Sequence, residues 1–217
     1  MSKESRNGNS RLRRSSFETR VPDLGYYVIV TDTEGTERCY FEGLRTSLPE
    51  RLRSRLVIKV IQTDTADLIS AVMKEIKYDP QYRCPWIVFD RDRVVNFDGI
   101  IEEARQSNVD VGWSNPCFEI WLFAYYGKMP TIEESWICCR DFGNAFQQKT
   151  GCTYDKNDSA IYKKLTREGD EDKAITIAKT RYESTLKNGT SIPSKMNSCS
   201  TVYRLVQEIR GKTKNKE

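Results

Sequence analysis

Asp90-Arg91-Asp92 follows Trp86-Ile87-Val88-Phe89 directly, so two carboxylates stand behind a short, strongly apolar run. Asp32-Thr33-Glu34-Gly35 follows a similar run, Tyr26 to Thr31, and places Glu34 in a comparable position. Carboxylates gathered at one spot repel one another and hold protons more tightly unless a hard cation neutralises them. A divalent cation held there polarises a phosphodiester, lowers the pKa of a bound water and stabilises a leaving oxygen. Glu34, Asp90 and Asp92 are therefore candidate metal ligands. A plainer reading stands beside this one, because Asp at a strand end often caps the next helix. The chain contains no histidine, which removes the commonest general base, the commonest zinc ligand and every Ser-His-Asp or Cys-His mechanism. Hard oxygen ligands then point to Mg2+ or Mn2+. The seven cysteines, at 39, 84, 117, 138, 139, 152 and 199, show no zinc-ribbon spacing and read as structural.

The string Ser114-Asn115-Pro116-Cys117-Phe118-Glu119-Ile120-Trp121-Leu122 is the most distinctive in the chain. Phe118, Trp121 and Leu122 recur at helical spacing and belong to a core. Glu119 is costly to bury in such company unless it is paired or bound to metal, which makes it a candidate fourth ligand. Ser114 and Asn115 are placed to cap the following helix or to touch a phosphate at its N-terminus. Further on, Tyr154, Lys156, Tyr162, Lys163 and Lys164 interleave rings with cations. Such a surface stacks bases and holds phosphates, but a solvated helix face with buried tyrosines explains it more economically. Lys156 is the leading candidate for a phosphate contact.

These residues need a scaffold, and the hydrophobic pattern supplies one. Tyr26 to Thr31, Leu56 to Ile61, Trp86 to Phe89 and Val109 to Trp113 read as buried strands. Between them, Thr36 to Leu44, Thr65 to Lys77 and Phe97 to Gln106 read as helices. Alternation of this kind predicts a parallel α/β sheet with sites at the strands' carboxyl ends. From Thr131 the chain reads as helical, over Ile132 to Lys149 behind a Thr131/Glu134 capping box, Ala160 to Leu165, Glu171 to Leu186 and Ser200 to Arg210.

With 217 residues, 38% of them hydrophobic and 30% charged, one soluble domain is expected, and no apolar run approaches the ~20 residues of a membrane span. The N-terminus lacks the apolar centre of a secretory signal, so a cytoplasmic location is expected. The net charge is +4, but residues 1–20 carry six Lys or Arg against two Glu, and residues 210–217 carry four against one. The middle therefore bears −3, and the basic excess lies at the two ends. No G-x-x-x-x-G-K-[ST] or G-x-G-x-x-G occurs, so any ATPase would be a partner.

YYVIVTDTEGTERCYFEGL, WIVFDRD and WSNPCFEIWLFAYY together resemble the RloB family, whose fold is related to the Toprim domains of topoisomerases, primases and OLD-type nucleases. The resemblance runs from about Tyr26 to Ile209 and includes SCSTVYRLVQEI, similar to the family's terminal Ser-Thr turn and helix. It implies a Toprim-like parallel sheet flanked by helices and followed by a helical C-terminal region. The corresponding divisions are a basic flexible arm, 1–22, a Toprim-like core, 23–130, a helical region packed on it, 131–211, and a basic tail, 212–217. It also implies that Glu34, Asp90 and Asp92 are the catalytic and metal-binding residues. Members often carry a histidine after the S-N-P string; this chain has Ala124-Tyr125-Tyr126, leaving a tyrosine or lysine to replace it.

The activity so implied is Mg-dependent endonucleolytic cleavage of DNA or RNA, transfer RNA among the substrates, in a prokaryotic anti-phage or abortive-infection system. A non-catalytic sensor of nucleic acid or phosphate ligands with a structural Mg2+ remains the alternative. A receiver-like domain is disfavoured, as no phosphoacceptor arrangement with a distant lysine is found. The substrate, the trigger and the oligomeric state are not legible.

Overall fold

The computed structural model describes residues 26–32, 35–53, 56–60, 65–77, 83–92 and 94–214. Runs rich in β-branched and aromatic residues form β1 (Tyr26–Thr31), β2 (Leu56–Val60), β3 (Arg83–Asp90) and β4 (Asp110–Asn115). β1 pairs in parallel with β2 and β3, and β3 pairs in parallel with β4. Helices α1 (Thr36–Ser47) and α2 (Glu50–Arg53), then α3 (Leu68–Ile76), then α4 (Phe97–Gln106) make the three crossovers.

A fifth strand, β5 (Cys199–Ser200), completes the order β2-β1-β3-β4-β5 and runs antiparallel to β4. The sheet is thus mixed rather than wholly parallel. Two residues carry no periodicity, and β5 is secured by tertiary bonds: Ser114 Oγ to Ser200 Oγ at 3.1 Å, and Trp113 N–H to Thr201 Oγ1 at 3.0 Å.

Side chains alternate across the strands, so each face has its own core. Val28, Val30, Ile87 and Phe89 meet α3 and α4 through Leu68, Val72, Phe97 and Ile100. Tyr27, Ile29, Trp86 and Val88 face the opposite way, toward α1 and α9 (Val202–Lys214), whose Tyr40, Phe41, Leu44, Val206 and Ile209 are buried. Each such side chain contributes roughly 1.5–3 kcal/mol on burial.

The helical C-terminal region consists of α5 (Glu119–Ala124), α6 (Ser135–Thr150), α7 (Ile161–Glu168) and α8 (Glu171–Lys187), closed by α9. Phe142, Phe146, Leu165 and Ala178 join the second core, so this region is packed on the sheet layer and shares its apolar interior. Several expected boundaries shift. Thr65–Asp67 is a 3-10 turn ahead of α3, and α6 starts at Ser135, behind an extended Glu134, so Thr131 caps nothing. Ile132 instead donates its N–H to Ser198 Oγ at 2.7 Å. α9 runs through Lys214, so the expected basic tail begins as helix; the expected arm, 1–22, lies outside the described residues.

Candidate divalent-cation site

β1 and β3 end side by side. Thr31 pairs with Val88, so Asp32 and Asp90 leave the sheet at neighbouring positions. The turn after β3 is pinned to β4: Arg91 N–H donates to Ser114 O at 2.9 Å and Asp92 N–H to Pro116 O at 3.0 Å. Around these strand ends lies a pocket of about 330 Å³ with five carboxylates in its wall, Asp32, Glu37, Asp90, Asp92 and Glu119, and one ammonium, Lys156.

Asp90 accepts from the backbone N–H of Phe118, yet its Oδ1 is buried with no hydrogen-bond partner among the described residues. Burial, followed by the charges of Glu37, Glu119 and Asp32, pushes its carboxyl well above the ordinary range. Asp32 resembles it: Oδ1 is buried without a partner among the described residues, and burial, with Asp92 adding, pushes the group up to about 6 despite hydrogen bonds from its own backbone and Thr65.

Glu119, the first residue of α5, has a side chain only 2% exposed. Lys156 Nζ lies 3.3 Å from its Oε1, and Tyr154 donates its hydroxyl to the same oxygen at 2.8 Å. Burial alone would raise this carboxyl, but Lys156, Cys117 and Tyr154 together hold it below its ordinary value. Lys156 reaches the pocket because α6 ends at Gly151, whose φ of 72° turns the chain back. Asp155 and Asp158 then brace the return, accepting from Asn157 N–H and Ala160 N–H, each at 2.9 Å.

A family model described as an RloB-like protein matches residues 27–209. The chain belongs to the RloB-like family. Comparisons with curated proteins and with solved structures give no match. The RloB-like match encloses every pocket residue from Asp32 to Lys156 and extends through β5 into α9.

Of the residues singled out in the sequence, Asp90, Asp92, Glu119 and Lys156 converge on the pocket. Glu34 lies outside the described residues, between Asp32 and Gly35, which both line it. Ser114 and Asn115 are both fully buried, and neither caps α5. Ser114 holds β5, while Asn115 Nδ2 donates to the carbonyls of Pro193 and Ser194 at 3.2 and 3.1 Å. Tyr154 and Tyr162 are largely buried, Tyr162 on α7 and Tyr154 in the connection between α6 and α7. Tyr125 sits in the core, bonded to Tyr40 and Glu171.

Sequence reasoning missed Asp32 and Glu37 as site residues, and named Tyr154 without joining it to Glu119. Asp32 carried a signal, standing directly behind β1; Glu37 needed the rotation of α1, and Tyr154 needed the Gly151 turn. Among the described residues no three of the pocket's carboxylates bring oxygens within 4.8 Å of one another.

Proposed function

We propose that this RloB-like chain is a Mg2+- or Mn2+-dependent nuclease cleaving phosphodiester bonds of DNA or RNA, in the cytosol and as part of a prokaryotic defence system. The observation that carries the reading is the pair of buried oxygens, Asp90 Oδ1 and Asp32 Oδ1, that lack a donor among the described residues, at adjacent strand ends in a pocket of like charges. A hard cation supplies what both lack. Asp90 and Asp32 would hold it, and Glu34 remains the candidate ligand that the sequence alone supplies. When bound, the ion supplies Lewis acidity toward a phosphoryl oxygen and a water of lowered pKa.

The chain's own groups divide the remaining work. Asp92, exposed at the rim, orients water and accepts its proton at a carboxylate oxygen. Lys156, half exposed beside Glu119, presents an ammonium to a substrate phosphate. Glu119 and Tyr154 hold that ammonium in place. The Toprim relation of the family fits this division, and ATP hydrolysis, where the system uses it, falls to a partner chain.

The test is to incubate the protein with supercoiled DNA and total RNA in Mg2+, Mn2+ or EDTA, beside Asp90→Asn and Asp32→Asn. The expected result is metal-dependent cutting that falls at least about a hundredfold in both variants. Nucleic-acid binding without cutting under every metal, unchanged in both variants, would replace this reading with the sensor.

A further inference from the structure

Cys117 and Cys139 are separated by 22 positions, yet their Sγ atoms lie 3.9 Å apart, and an oxygen of Glu119 lies within 4.8 Å of both. We infer that Cys117, Cys139 and Glu119 form a binding site for a thiophilic divalent cation, with Zn2+ as the ion of choice. The site borders the acidic pocket and shares Glu119 and Lys156 with it, but selects a different ion: the pocket's Asp residues take a hard ion, whereas thiolates select against Mg2+.

The spacing supports a shared metal. Two thiolates bound tetrahedrally to Zn2+ at about 2.3 Å stand about 3.8 Å apart, close to what is found. A disulfide, at about 2.05 Å, would require the sulfurs to approach by nearly 2 Å. The elements hold the donors in place, because Cys117 sits on the turn entering α5 and Cys139 lies on the first half of α6, with Cys117 also directed at Ser135 O at 3.8 Å.

Charge also balances. Zn2+ with two thiolates and one carboxylate carries −1, and Lys156 Nζ, 3.3 Å from Glu119, restores neutrality in a place where net charge is costly. Binding releases the two thiol protons to solvent. Cys139 is half-buried and leaves a way in, and a water completes the fourth position.

The experiment titrates the full, reduced, metal-free protein with Co2+ in excess Mg2+ and then adds Zn2+. One equivalent of Co2+ is expected to give thiolate-to-cobalt charge-transfer absorption, which one equivalent of Zn2+ removes. Cys139→Ser should lose about half of that absorption and bind Zn2+ at least about tenfold more weakly, while Cys84→Ser and Asp90→Asn retain both. Zn2+ should also shield Cys117 and Cys139 of the unmodified chain from alkylation, a readout that needs no variant. Absence of charge-transfer absorption in the parent, or unchanged binding in Cys139→Ser, or alkylation unaffected by Zn2+, overturns the site.

Discussion

Glu119 owes its charged state to Lys156 and Tyr154, and the dependence is asymmetric. Lys156 is 57% exposed and returns to water if its partner goes, whereas Glu119, at 2%, has no such recourse. Lys156→Ala should therefore destabilise the protein by about 1–3 kcal/mol, the cost of stranding a buried polar group. Glu119→Gln should cost less, since the amide still accepts from Tyr154 and no buried charge remains. Urea denaturation of the two variants checks the order; equal losses would show that Lys156 is not what makes the buried carboxylate tolerable.

Two positions govern how the elements carry the site. Gly43 on α1 lets α7 approach so closely that an added Cβ would stand 2.4 Å from Tyr162 Cβ. That atom is the root of a buried side chain and cannot swing aside. Gly43→Ala should cost about 1–3 kcal/mol and lower Tm by several degrees, pushing α7 from the helix that carries Glu37. At the other edge, Thr201 Oγ1 accepts from the buried Trp113 N–H and donates to Val111 O at 3.2 Å, tying the start of α9 to β4. Thr201→Val strands that amide, so about 1–3 kcal/mol of stability should be lost and Trp113 amide exchange should quicken. An unchanged exchange rate would place the restraint elsewhere.

Over the whole molecule, the acidic pocket links stability to pH and metal. Asp32 is raised from an ordinary 3.8 to about 6, so the folded state holds its proton more tightly than the unfolded chain. This group therefore favours folding fully at low pH, and its contribution is lost as pH rises from about 4 through about 6; Asp90 acts with the same sign. In EDTA, Asp32→Asn should gain stability relative to the parent between pH 5 and pH 8, as read from urea midpoints. Mg2+ should offset most of that difference at pH 8, adding about 2.7 kcal/mol to the parent at a hundred times its Kd. A parent indifferent to pH and to Mg2+ would remove the metal from the pocket. The basic ends make a separate prediction: nucleic-acid affinity should fall with salt, and deleting residues 1–20, six cations against two anions, should flatten the slope by about 0.9 for each phosphate that the arm neutralises.

The strands, the crossover helices and the placement of Asp90 and Asp92 at a strand end were legible in the sequence, because period-2 and period-3.6 burial are local properties of the chain. The RloB-like membership was legible too, in the S-N-P-C-F-E-I-W string and the motifs ahead of it. Only the tertiary structure decided which side chains share a space. It turned Ser114 and Asn115 inward, drew Lys156 and Tyr154 back across α6 to Glu119, added Asp32 and Glu37 to the pocket, and brought Cys117 to Cys139. The reason is physical: sequence spacing fixes neighbours within one helix or strand, while a site assembled from several elements depends on how they pack, and on turns such as Gly151 that carry no periodic signal.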